Sequence, residues 1–148
     1  MFSGHFEHTI DAKGRVSVPA KFRDALLGDR RLILVPYIVF GQRCLDGYPQ
    51  GEWQRLLGQF ATIPKFTAKA AKFEMGYLAR SHPCEIDEAG RILVPPVLRR
   101  YTGLKKDVVF LGLHMRFRLM DQESWAKVEG EHDARAAESP GYYEDLGL

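Results

Sequence analysis

A thirteen-residue stretch occurs twice in this chain. Asp11-Ala-Lys-Gly-Arg-Val-Ser-Val-Pro-Ala-Lys-Phe-Arg23 and Asp87-Glu-Ala-Gly-Arg-Ile-Leu-Val-Pro-Pro-Val-Leu-Arg99 align at a spacing of 76 residues. Six positions coincide: Asp11 with Asp87, Gly14 with Gly90, Arg15 with Arg91, Val18 with Val94, Pro19 with Pro95 and Arg23 with Arg99. A chain that writes one short unit twice builds one supersecondary unit twice. The unit reads physically as strand, tight loop, strand and short helix. An Asp followed three residues later by Gly makes a turn, because the carboxylate bonds backbone N–H groups ahead of it and Gly accepts positive φ. The β-rich Arg-Val-Ser-Val or Arg-Ile-Leu-Val follows, and Pro then opens a helix at its first position.

The rest of the chain fills in around these two units. Phe6 to Ile10 alternates apolar and polar residues as a half-buried strand does. Pro19 to Leu27 predicts a helix burying Phe22 and Leu26, stopped by Gly28. Residues 31–36 and 37–40 predict two buried strands, with another over 44–49. Glu52 to Phe60 predicts a helix burying Trp53, Leu56, Leu57 and Phe60. Residues 67–81 predict one longer helix between the units. A strand over 83–86, a helix from Pro96 to Gly103, a hairpin around His114 to Arg116 and a closing helix from Gln122 complete the second copy. The expected organisation is a first repeat at 5–60, a connecting helix within 61–81, a second repeat at 82–128 and a loosely held acidic tail at 129–148.

Charge is unevenly distributed. The net charge of the 148 residues is +2, but residues 121–148 hold two Lys/Arg against eight Asp/Glu, leaving nineteen against eleven in residues 1–120. A basic body suits a polyanion partner, and an acidic tail suits solubility or shielding. Scattered cations on a solvated surface are the alternative. No run of eighteen apolar residues occurs, and Met1-Phe-Ser-Gly-His lacks the basic start and apolar stretch of a signal peptide, so a cytoplasmic protein without a membrane partner is expected. Cys44 and Cys84 fall at non-equivalent places, as unpaired thiols do in a reducing compartment. Five His and two Cys show neither Cys-x-x-Cys nor His-x-x-x-His, and no Gly-rich phosphate loop is present. Neither catalysis, a metal nor a cofactor is expected.

The paired Asp-x-x-x-Arg motif, the opening Met1-Phe-Ser-Gly-His-Phe-Glu-His-Thr-Ile10, Gly90-Arg-Ile-Leu-Val-Pro-Pro-Val-Leu-Arg99 and the two tryptophan helices resemble the MraZ family of bacterial transcriptional regulators over residues 1 to about 128. The resemblance implies an α+β, β-rich fold: two tandem swapped-hairpin (SpoVT–AbrB) β-barrel units interlocked as an intrachain pseudo-dimer. It also implies assembly of chains into rings on the nucleoid, and binding of promoter direct repeats ahead of a division and cell-wall operon, usually as a repressor.

The expected DNA contacts are Lys13, Arg15, Lys21 and Arg23 on one loop-helix corner, with Arg91, Arg99 and Arg100 from the second copy. Clustered cations repel one another without an anion, and Arg reads guanine bidentately. Asp11, Gly14, Asp87 and Gly90 are expected to shape the loops. Glu88 and Ala89 replace Ala12 and Lys13 in the second copy, which favours the first loop as the main reader. A protein-binding, antitoxin-like module of the same fold is the alternative.

Overall fold

The computed structural model describes residues 1–148. Eight strands and five helices follow in order: β1 (His5–Thr9), β2 (Arg15–Ser17), α1 (Ala20–Ala25), β3 (Arg31–Val39), β4 (Gln42–Pro49), α2 (Gln50–Phe60), α3 (Ala68–Gly76), β5 (His82–Glu85), β6 (Arg91–Leu93), α4 (Pro96–Thr102), β7 (Asp107–Leu113), β8 (Arg116–Asp121) and α5 (Gln122–Glu138). The fold is α+β and strand-rich, with short helices around an antiparallel sheet.

The strand pairs exchange between the two copies of the repeat. β1 pairs with β7, β5 pairs with β3, and β2 pairs with β6. Each unit therefore completes its ladders with strands of the other, as a swapped hairpin does. One sheet runs β1-β7-β8-β4-β3-β5, and β2-β6 forms a separate two-stranded ribbon. The order of equivalent strands is the same read from either end, so a pseudo-two-fold axis passes between β8 and β4. The same axis crosses the ribbon at Val16 and Ile92, which face each other. The expected closed barrels do not form: β1 and β5 end the large sheet as edges. Four of the five helices follow a strand directly or by two residues, which leaves little chain with which to close a sheet on itself.

Successive residues of a strand face opposite sides, and the two faces of the large sheet carry different cores. On the inner face Leu32, Leu34, Leu45, Val108, Phe110, Phe117 and Leu119 pack against Val16, Val18 and Phe22 of the first copy and Ile92, Val94 and Leu98 of the second. On the outer face Ile33, Val35 and Tyr48 pack with Trp53 and Tyr77, while Cys44, Val109 and Met120 pack with Val128 and Trp125. The ribbon, α1 and α4 thus cover one face, and α2, α3 and α5 the other.

Four local expectations change. Pro19 and Pro95 precede their helices by one residue in extended geometry, and Pro96 takes the first helical position of α4. Residues 31–39 form one strand through Pro36, tolerated because β5 pairs only as far as Leu34 and leaves that side of β3 open. Past that point Tyr37 and Ile38 are exposed instead of buried. The expected helix over 67–81 breaks at Tyr77, whose φ of −124° is not helical, and resumes as a 3₁₀ turn at Leu78–Arg80. Tyr77 sacrifices helical geometry for a buried place beside Trp53, so this segment packs on the first repeat instead of standing between the two. Finally, α5 continues to Glu138 where a loose tail was expected, its start capped by the Asp121 carboxylate accepting the Glu123 N–H.

Candidate nucleic-acid interface

Both Asp-x-x-x-Arg motifs form the same loop. Asp11 Oδ1 accepts the backbone N–H groups of Lys13 at 3.0 Å and Arg15 at 2.9 Å, and Arg15 Nε donates to Asp11 Oδ2 at 2.8 Å. In the second copy Arg91 donates its backbone N–H to Asp87 Oδ1 at 2.9 Å and its Nε to Oδ2 at 3.3 Å. The backbone N–H of Arg15 leads in holding Asp11 below the ordinary aspartate range; desolvation opposes it, and the Arg15 side chain and the Lys13 N–H add to the lowering. Asp87 is lowered the same way, the Arg91 backbone N–H leading. Gly14 and Gly90 close the loops at φ of +87° and +79°, where a side chain is strained.

The loops then lock across the axis. The Val18 N–H donates to the Gly90 carbonyl at 2.9 Å, and the Val94 N–H to the Gly14 carbonyl at 2.8 Å. These bonds extend the ribbon at both ends. Val16 and Ile92 face the core, so the alternation of the strand turns Arg15, Ser17, Arg91 and Leu93 outward. Arg15 lies opposite Leu93 and Arg91 opposite Ser17. Two arginines that stand 76 positions apart in the chain therefore share one short, outward ribbon face.

The helix arginines cross over as well. A methyl group placed on Gly90 would stand 2.8 Å from a terminal guanidinium nitrogen of Arg23, and one on Gly14 would stand 2.6 Å from Arg99 Nε. Arg23 thus lies on the second loop and Arg99 on the first, where its guanidinium donates to the Ala12 carbonyl at 3.3 Å. This corrects the expected corner. Lys13 and Arg15 keep company with Arg99 of the other copy, and Arg23 sits in a recess with Asp87, Glu88, Asp29 and Arg30. The physical reason is the ribbon: pairing β2 with β6 carries each following helix over the partner's loop. The exchange sets Arg99 beside the basic first loop and Arg23 beside the acidic second loop, where its Nε donates to the Val18 carbonyl at 3.1 Å. Lys13, Lys21 and Arg100 are exposed on their loop and helices.

Sequence reasoning missed a polar cluster on the outer face. Asp46, 1% exposed, accepts Nε of Arg118 at 2.7 Å and a second guanidinium bond at 3.3 Å, and Tyr77 donates its hydroxyl to the same carboxylate at 2.7 Å. Tyr48 and Tyr77 share a further bond of 2.7 Å between hydroxyls. Burial opposes the charge on Arg118, but the Asp46 carboxylate outweighs it and leaves the guanidinium more basic than usual. Burial also pushes the Tyr77 hydroxyl up. An acidic residue in the strand pattern Cys44-Leu-Asp-Gly-Tyr, on a face otherwise apolar, was the available signal.

The family model described as "MraZ protein, putative antitoxin-like" matches residues 1–75 and 78–140. The protein named transcriptional regulator MraZ of Thermoanaerobacter sp. strain X514 is 36% identical over 148 residues, all of both chains. Its namesakes in Thermoanaerobacter pseudethanolicus and Lachnoclostridium phytofermentans are 37% identical over the whole of both chains and 39% identical over 84% of each. With the family model matching nearly the full length and relatives above 30% identical over most or all of both chains, the chain belongs to the MraZ family, a family of non-enzymatic regulators.

Proposed function

We propose that this protein regulates transcription by binding promoter DNA through the β2–β6 ribbon and the first loop. The outward placement of Arg15 and Arg91 on one ribbon carries the reading. A two-stranded antiparallel ribbon fits the major groove, and Arg pairs bidentately with guanine there. Lys13 and Arg99 at the first loop, with Lys21, Arg23 and Arg100 on the flanking helices, supply phosphate contacts that fix register. The names of the relatives support the same role.

One ribbon is short and offers few base contacts. A ring of identical chains, each placing its ribbon on one of several direct repeats, turns that weak contact into avidity. Held on the promoter of its own division and cell-wall operon, such a ring represses by occupying the site. The work is cytoplasmic, on the nucleoid, and no helix is long and apolar enough to cross a membrane. We take residues 5–60 and 82–128 as the two repeats of the DNA-binding body.

The test is a fluorescence-anisotropy titration on the upstream intergenic DNA and on a scrambled duplex, at two salt concentrations, with K13A/R15A alongside. Tight, salt-sensitive and sequence-dependent binding that the double variant loses supports the reading. Equal weak binding to both duplexes, unchanged by the variant, overturns it.

A protein-binding, antitoxin-like role is the second reading. Leu93, 55% exposed on the ribbon, and Val97, 49% exposed on α4, favour it. A partner retained by the wild type and lost by L93D would select it.

A further inference from the structure

The ribbon uses one face of the large sheet and leaves the other unexplained. On that outer face a cleft of about 540 Å³ opens between β3–β4 and α3. Tyr37, Phe73 and Tyr101 supply its aromatic walls, and Lys72, Arg80 and Arg116 its cations. The carboxylate on its floor is already engaged, since Asp46 is held by Arg118 and Tyr77. Arg116 Nε stands 3.6 Å from that carboxylate and makes no hydrogen bond. Arg80 and Arg43 both lie against the Tyr101 ring, at 4.3 and 4.8 Å, which holds two like charges close together. An aromatic recess with surplus positive charge suits an acidic segment carrying apolar side chains.

The chain contains such a segment. α5 buries nothing beyond Val128 and runs on to Glu138, about 15 Å of helix at 1.5 Å per residue. Residues 129–148 carry one Arg against six acids. At the far end Tyr142 and Tyr143 rest on His132, while Glu144, Asp145, Leu146 and Leu148 are exposed. Beyond Val128 the helix is mostly exposed and carries only polar residues, Ala and Gly, and a helix stretch without an apolar face is free to bridge between bodies.

We propose that this acidic arm of one copy docks in the cationic aromatic cleft of a second copy, Glu144 and Asp145 meeting Lys72, Arg80 and Arg116, and Leu146 entering between the aromatic walls. The proposal rests on the homo-oligomer reading above and names the contact that joins the copies.

The test combines two readouts on the full chain. A fluorescein-labelled peptide of residues 139–148 is titrated by anisotropy, and assembly mass is followed by sedimentation velocity, with circular dichroism as the folding control. The peptide is expected to bind in a salt-sensitive way, and K72E/R80E to weaken it at least tenfold. A peptide carrying E144K/D145K should bind the wild type poorly and recover on the K72E/R80E chain. In the chain itself E144K/D145K lowers the assembly mass, and combining both reversals restores it. Peptide binding indifferent to K72E/R80E overturns the proposal. An assembly unchanged by either reversal also overturns it and leaves the ring standing on another contact. A wild-type chain that sediments as a monomer throughout overturns the oligomer reading and the proposal together.

Discussion

Asp46 and Arg118 occupy equivalent positions of the two repeats and face each other across the pseudo-two-fold axis. They are 72 residues apart, the spacing that also relates Trp53 to Trp125, and they form the central pair of the β4–β8 ladder. A symmetric dimer of one repeat would place two identical residues there, and two buried carboxylates or two guanidinium groups would repel. Joining the repeats in one chain lets the two positions differ, and here they differ by opposite charge. The pair is thus a device of the fused chain, marking one register and one partner for each repeat.

Breaking that pair leaves a buried charge alone. D46A is expected to destabilise the protein by about 3–5 kcal/mol, the cost of orphaning a buried guanidinium. Because the two positions are equivalent, D46R/R118D should recover more than half of the loss. Urea denaturation of the single and double variants checks both statements.

The two loop glycines differ in their surroundings. A methyl on Gly14 would stand 2.9 Å from the backbone carbonyl of Val94, whereas on Gly90 the near atoms all belong to the movable Arg23 side chain. G14A is therefore expected to cost more than G90A, both adding about 1–3 kcal/mol of backbone strain. Thermal melts of the two variants rank them.

Arg91 separates a ribbon from a lone first loop. If both strands read DNA, R91A weakens specific binding by about 1–3 kcal/mol while scrambled DNA is little affected, and K13A weakens both and lowers the salt slope by about one. Anisotropy titrations across a salt series report both quantities. Binding unchanged by R91A would confine recognition to the first loop.

The loop aspartates set an acid limit. Asp11 and Asp87 titrate below the ordinary value of 3.8 in the folded state. The unfolded chain binds the proton first, so their stabilisation is complete above about pH 4 and fades as pH falls through the lower folded values. D11N/D87N should lower stability at neutral pH and flatten the acid limb of the stability curve, the variant and the wild type converging as pH falls below about 4. Stability measured from pH 2 to 7 decides it.

Both thiols are pushed up to about 12 by burial. At pH 8 they hold on the order of a thousand times fewer thiolates than a free cysteine. Iodoacetamide is expected to label neither in the native protein and both in urea, as mass spectrometry will show.

Much of the local structure was legible in the sequence. The Asp-x-x-Gly-Arg spacing dictates its own turn, since one carboxylate satisfies the two N–H groups that follow it and Gly takes the positive φ. The apolar periods around Phe22, Trp53 and Trp125 name their buried faces. Each of these is an interaction among residues a few positions apart, and such interactions are written directly in the order of the chain. Pairing is not. Nothing local tells β2 to leave β1 for β6, so the crossing of Arg23 and Arg99 onto each other's loops stayed hidden, as did the ribbon that unites Arg15 with Arg91. Tyr77 breaks its helix and Asp46 takes a buried charge only because of partners dozens of residues away. The sequence by itself determined the repeated unit, its loops and its charges; the tertiary structure alone decided which unit completes which, because ladder bonds and buried ion pairs are satisfied by proximity in space and not along the chain.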